Sequence, residues 1–125
     1  MLTANYSTYG ALYNYEAIDA WNLCPEGWSN PTLEKWSVLT SSHTAAECVS
    51  VEWFGNNQTG FNFLPGGDRD GIEGFNSFNN LGSAGLIWIS ENPPKHAGVV
   101  NQNWYEYENA TLPSFGFSIR CLKNQ

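Results

Sequence analysis

The side chains able to do chemistry in this chain are few and scattered. Asp68, Asp70 and Glu73 stand in the run Asp68-Arg69-Asp70-Gly71-Ile72-Glu73, where oxygens recur at the spacing of part of a calcium loop, and hard cations take such carboxylates. The Asp-Gly pair is equally common in turns, and Arg69 can neutralise the acids in place of an ion. Cys24, Cys48 and Cys121 show neither CxxC nor His-adjacent spacing, which argues against zinc. His43 and His96 lie far apart with no Asp or Ser motif around either, and Ser118 in Gly-Phe-Ser-Ile-Arg is not a Gly-x-Ser-x-Gly nucleophile elbow. No catalytic residue is assigned, and no enzyme is expected. Glu106 and Glu108 alternate along a strand-like run and point the same way, but with no cleft residue beside them they read as solvated charge. Arg69 and Arg120 are the only arginines, and they read as guanidinium groups satisfying loop carbonyls and carboxylates rather than as ligand contacts.

The elements that must position these residues belong to one domain, residues 1–125, long enough to bury roughly two-thirds of its unfolded surface. Apolar residues make up 42% and aromatics 15%, and charged residues only 14% against a usual figure of about 25%, so the chain is neither disordered nor a coiled coil. Twelve acids against five Lys and Arg give a net charge of −7, which repels a phosphate backbone and argues against nucleic acid as a partner. Residues 1–85 hold nine acids and two bases, whereas 86–125 hold three of each, so the excess charge lies entirely in the first part. No run approaches the ~18 apolar residues of a membrane span, and residues 1–5 read as no signal peptide. Three cysteines suggest one disulfide and one free thiol, with Cys48 a small buried apolar residue.

Residues 6–15 alternate, with Tyr9, Ala11, Tyr13 and Tyr15 on one face, which predicts a first strand. Tyr15, Ile18 and Trp21 then fall at helical spacing and predict a short helix stopped by Cys24-Pro25. Asn30-Pro31 reads as a cap with proline in the first turn of a second helix, which carries Leu33, Trp36 and Leu39 inward and ends near Thr40. Thr44-Ala45-Ala46-Glu47 has capping-box spacing for a third helix through Cys48. From Gly55 onward Gly, Asn and Pro turn signals exclude helix, and strands are expected at 61–64, 86–90, 97–102, 104–108 and 115–122. The plan is α+β, with two to three short helices, small antiparallel sheets and long loops.

Six motifs in order carry a resemblance. Tyr9-Gly10-Ala11-Leu12-Tyr13-Asn14, Cys24-Pro25-Glu26-Gly27-Trp28, Pro31-Thr32 with Glu34 and Trp36, Phe63-Leu64-Pro65-Gly66-Gly67 with Arg69, Leu81-Gly82-Ser83 with Trp88 and Ser90, and Gly116-Phe117-Ser118-Ile119-Arg120-Cys121 together resemble the Fibrobacter succinogenes major paralogous domain. That family is similar to the C-type lectin-like fold shared with formylglycine-generating enzymes and with the variable proteins of diversity-generating retroelements in bacteria and phages. The resemblance implies a C-type lectin-like ligand-display domain on a cell surface, a secreted protein or a virion. It also implies that Cys24 pairs with Cys121, a closure that contributes ~4.7 kcal/mol for about 100 residues in the chain-entropy model. The close C-terminal cysteine pair of the formylglycine-generating enzymes is missing, which argues against oxidase activity.

The same resemblance directs attention to residues 86–125 as the binding sheet and loops, with 1–85 as scaffold. Trp88 and Phe117 are motif positions and should be buried. Ile87, Ile89, Asn92, His96, Asn101, Asn103, Tyr105, Tyr107, Leu112 and Phe115 are then the candidates to face outward and bind a protein or glycan receptor on another cell. Tyr, Trp and Asn provide rigid contact area and adaptable hydrogen bonds; the same residues also serve as ordinary sheet packing. Two other readings stay open: a structural surface module without ligand, and a calcium-dependent lectin. Against the lectin, Glu91-Asn92-Pro93 scrambles the Glu-Pro-Asn order and Trp104 is followed by Tyr105-Glu106.

Overall fold

In the computed structural model, which describes residues 4–20, 23–72, 77–107 and 109–124, the helices precede all strands but one along the chain. The helices are α1 (Ala4–Tyr9), α2 (Tyr15–Ala20), α3 (Leu33–Ser42) and α4 (Ala45–Cys48), with β1 (Trp28–Ser29) among them. The remaining strands are β2 (Asp68–Arg69), β3 (Phe78–Asn79), β4 (Ala84–Ile89), β5 (Lys95–Val100), β6 (Asn103–Glu106) and β7 (Leu122–Lys123). They form three small antiparallel sheets, β1-β7, β2-β3 and β4-β5-β6. The architecture is the expected α+β, with four short helices among the described residues. None of these helices is long and apolar enough to cross a membrane.

Strand β4 organises the core. All six of its residues, Ala-Gly-Leu-Ile-Trp-Ile, are buried, the near-continuous apolar run of a strand covered on both faces. Ile87 and Ile89 point to one side, where Ala97 and Val99 of β5 join Trp36, Ala45, Val49 and Phe63. Ala84, Leu86 and Trp88 point to the other, against Tyr15 and Phe117. This corrects the expectation that Ile87 and Ile89 face outward: they are 1% and 0% exposed. Alternation rightly separates them from Trp88, but their face is covered by α3, α4 and the segment carrying Phe63. Trp88 and Phe117 are buried as expected, meet edge to face at 4.8 Å, and the Trp88 indole N–H donates to Tyr13 O at 2.6 Å. Glycine at position 98 permits the close approach of β5 to β4, because a Cβ there would lie 1.8 Å from Gly85 O.

The β5-β6 connection is a two-residue turn, Asn101-Gln102, with φ of 52° and 65°. Both residues being left-handed is the hairpin geometry that matches strand twist, so β5 stops at Val100 rather than at residue 102. Strand β6 likewise covers 103–106 of the expected 104–108, and Glu108 lies outside the described residues.

The N-terminal third departs most from expectation. Residues 4–9 are helical, not extended, and Gly10 at φ 78° closes the helix as glycine does beyond a C-cap; only Tyr13 pairs in strand fashion, with Phe117. Helix α2 is capped by Asn14, whose Oδ1 accepts from Ala17 N at 3.0 Å; Trp21 lies outside the described residues. The cap of α3 is Thr32, two residues beyond the expected Asn30. The Asn30 amide instead donates to Trp88 O (3.2 Å) and Ser90 Oγ (2.8 Å), fixing the approach of the chain to β4. Leu33 N, a free donor of the first turn, is taken by Glu91 Oε1 at 2.8 Å. Helix α4 has the expected reciprocal capping box of Thr44 and Glu47, and these hydrogen bonds hold the Glu47 carboxyl below its ordinary range.

The segments expected as strands at 61–64 and 115–122 are mostly single bridges: Phe63 to Val49, and Gly116, Phe117 and Ser118 to Arg69, Tyr13 and Ile87 in turn. They run past several partners instead of along one. The C-terminal segment returns to residues 24–29, where β7 pairs with β1 beside the Cys24–Cys121 disulfide that the family resemblance implied. Cys48 is a free thiol, fully buried as expected.

Candidate ligand-binding face

Among the described residues, His96 is the hub of the main cluster of sequence candidates. It is the second residue of β5, opposite Trp88, which puts it on the Trp88 and Phe117 side of the sheet. Its ring stacks on Phe117 at 4.4 Å and on Tyr107 at 4.9 Å, with Tyr105 tilted at 5.8 Å. Phe115 stacks in turn on Phe117 at 5.9 Å. Imidazole Nδ1 is 2.7 Å from the hydroxyl of Thr111, a buried residue. Burial presses the His96 pKa down to about 4, so the ring is neutral near pH 7. Burial, with Tyr107 alongside, likewise raises the Tyr105 phenol above its ordinary range.

Two loops frame this stack. Thr111 N donates to Pro94 O at 2.9 Å, which ties residues 109–115 to the 91–94 loop and its cis Asn92-Pro93 peptide. The 109–115 segment is further held by Tyr15 N to Pro113 O (2.9 Å) and by Ser114 Oγ to Gly71 O (2.6 Å). Asn92 and Leu112 are thereby exposed on neighbouring loops. Tyr107 is 37% and Leu112 55% exposed, so the patch offers ring and aliphatic surface to solvent above a fixed floor.

Of the ten candidates, Asn92, His96, Tyr105, Tyr107, Leu112 and Phe115 belong to this region. Ile87 and Ile89 do not, being core on the opposite face. Asn101 and Asn103 lie at the hairpin tip, at the other end of β6, where Asn103 Nδ2 donates to Asn101 O at 2.9 Å. Asn103 there lines a separate groove of about 540 Å3 with residues of the α3-α4 junction. Thr111, which fixes the histidine, was missed: its sequence neighbours carry no sign of a partner fifteen positions away.

The remaining candidates are engaged in local structure. Asp68 Oδ1 accepts from the Asn80 amide at 2.8 Å, and burial raises its carboxyl above the ordinary range. Asp70 Oδ1 accepts from Ile72 N at 2.9 Å, an Asx turn; Glu73 lies outside the described residues. Among the described residues no group of three His, Cys, Asp or Glu side chains is arranged to hold a metal ion. His43 caps α3 and is exposed, its carbonyl accepting from Trp104 Nε1 at 2.9 Å. Arg69 has its guanidinium carbon 5.9 Å above the Phe78 ring. Arg120 lies over Phe61 at 4.2 Å and donates from Nη2 to Phe61 O, the loop-carbonyl role expected of it.

No curated protein and no solved structure gives a significant match to the chain. The family model of the Fibrobacter succinogenes major domain, in contrast, matches residues 2–123. The chain therefore belongs to the Fibrobacter succinogenes major domain family.

Proposed function

We propose that this domain is a non-enzymatic ligand-binding module, a receptor-binding or adhesin domain of C-type lectin-like fold that engages a protein or glycan on another cell. The observation that carries the reading is the convergence of Tyr105, Tyr107 and Phe117 on His96, with Phe115 stacked on Phe117 and Leu112 and Asn92 exposed on the two bordering loops. Rings held by stacking lose little entropy on binding, which is how rigid aromatic anchors give affinity. The charge distribution agrees: the acid excess lies in residues 1–85, so a partner need not be basic. A disulfide between residues 97 positions apart suits an oxidising environment, in keeping with display on a cell or virion surface.

Within this reading, diversification by a retroelement would fall on exposed positions such as Asn92, Tyr107 and Leu112 and spare Trp88 and Phe117. Labelled domain applied to glycan arrays and to intact bacterial cells, with and without a chelator, tests the proposal. Saturable binding that survives the chelator supports it, and chelator-sensitive glycan binding would favour a calcium-dependent lectin instead. The absence of binding on every surface would favour a structural module.

A further inference from the structure

Arg120 also forms the polar end of a pocket of about 480 Å3 that shares no residue with the aromatic face. Its lining includes Tyr9, Tyr13, Phe61, Asn62 and Ser118, with aliphatic floor from Ile87 and Ile119, and it contains no Asp or Glu in a chain with twelve acids. The volume is within the range of small-molecule sites, ~300–1,000 Å3, and the lining mixes rings and aliphatic groups with hydroxyls, an amide and one charge.

The guanidinium is only partly used by the protein. Phe61 takes one face at 4.2 Å and accepts one hydrogen bond from Nη2, and no carboxylate among the described residues forms an ion pair with it. Among the described residues the one enclosed side-chain polar atom without a partner is Asn30 Oδ1. The Arg120 nitrogens that donate to nothing are therefore not sealed in the core, and Arg120 is one of the residues that line the pocket. A guanidinium fork presents its donors in the plane of the group, matching the two oxygens of a carboxylate. With one flat face covered by Phe61 and one in-plane donor taken by its carbonyl, the remaining in-plane donors are those left for a ligand.

We propose that this pocket binds a small carboxylate with an aromatic or apolar body, the carboxylate on the Arg120 edge and the body between the tyrosine rings and the aliphatic floor. Sodium benzoate is the probe, benzamide its neutral isostere, and the readout is the amide shifts of Gly60, Gly66, Ser118 and Arg120 in a two-dimensional NMR titration. Benzoate should shift these amides saturably, and benzamide should bind about tenfold or more weakly, as expected when a charged hydrogen-bond acceptor is lost. Arg120→Lys should weaken binding, but it alters packing on Phe61, so Asn62→Asp supplies the second arm. Asn62 is exposed at φ 55°, a conformation Asp also tolerates, and the added carboxylate should compete for the guanidinium and weaken benzoate about tenfold. The proposal is overturned by equal affinity for benzoate and benzamide, by unchanged affinity in a folded Asn62→Asp variant, or by no saturable shift.

Discussion

At the scale of single residues, the arrangement around His96 depends on long-range neighbours. A histidine with no Asp or Ser motif reads in the sequence as an exposed side chain, yet Tyr107, Phe117 and Thr111 enclose it from segments that follow β5. Its pKa of about 4 lies below the ordinary value near 6.5, so the folded state disfavours the charged ring. The unfolded chain then takes up the proton first as pH falls. This contribution to stability is complete above about pH 6.5 and is lost progressively towards pH 4. The His96 Cε1–H resonance should titrate with a midpoint near 4, and a midpoint near 6.5 would contradict the stack. Asparagine has a comparable lesson. Asn57, Asn62, Asn80 and Asn101 all sit at positive φ, where asparagine is the best-tolerated non-glycine residue, so part of the Asn richness is turn geometry and not ligand chemistry.

At the scale of elements, legibility followed locality. The Thr44 and Glu47 capping box and the α3 apolar stripe need only neighbours three or four residues away, and both were readable. The Asn30-Pro31 cap was misread by two residues because Thr32 caps equally well and Asn30 serves β4 instead. The N-terminal alternation misled because period two in aromatic residues is not by itself a strand; Gly10 divides a helix from a single bridge there. Burial on both faces of β4 depends on where α3 and α4 pack, which alternation along one strand cannot report, and Ile87 and Ile89 were misassigned for that reason. Because β4 carries both core clusters, Trp88→Ala should cost ~3–5 kcal/mol in chemical denaturation. At the hairpin, Gln102 pays for φ 65° with a side chain that glycine lacks. Gln102→Gly should therefore stabilise the domain by about 0.5–1 kcal/mol, read as a shift of denaturation midpoint at unchanged slope.

At the scale of the whole molecule, residues 13–29 are joined to the C-terminal segment by β1-β7, by the Tyr13-Phe117 bridge and by the disulfide. Replacing Cys24 and Cys121 together with alanine should lower stability by ~2–5 kcal/mol, and reducing agent should have no further effect on that variant. The acidic charge, −7 overall, describes the part that supports the face more than the face itself. The order of motifs made the family readable, and periodicity, caps and turn signals made the α+β plan readable; which candidates gather around His96 was not, because a loop can be placed in sequence but its neighbours cannot. The most direct test of the binding face compares Tyr107→Ala with Val38→Ala, which trims a side chain that is 62% exposed on α3, the helix that covers the opposite face of β4. Affinity for whichever glycan or cell surface the wild-type domain binds should fall tenfold or more in Tyr107→Ala, by ~1.4 kcal/mol or more, and stay within twofold in Val38→Ala. Equal affinity in wild type and a folded Tyr107→Ala variant would contradict the placement of the binding face.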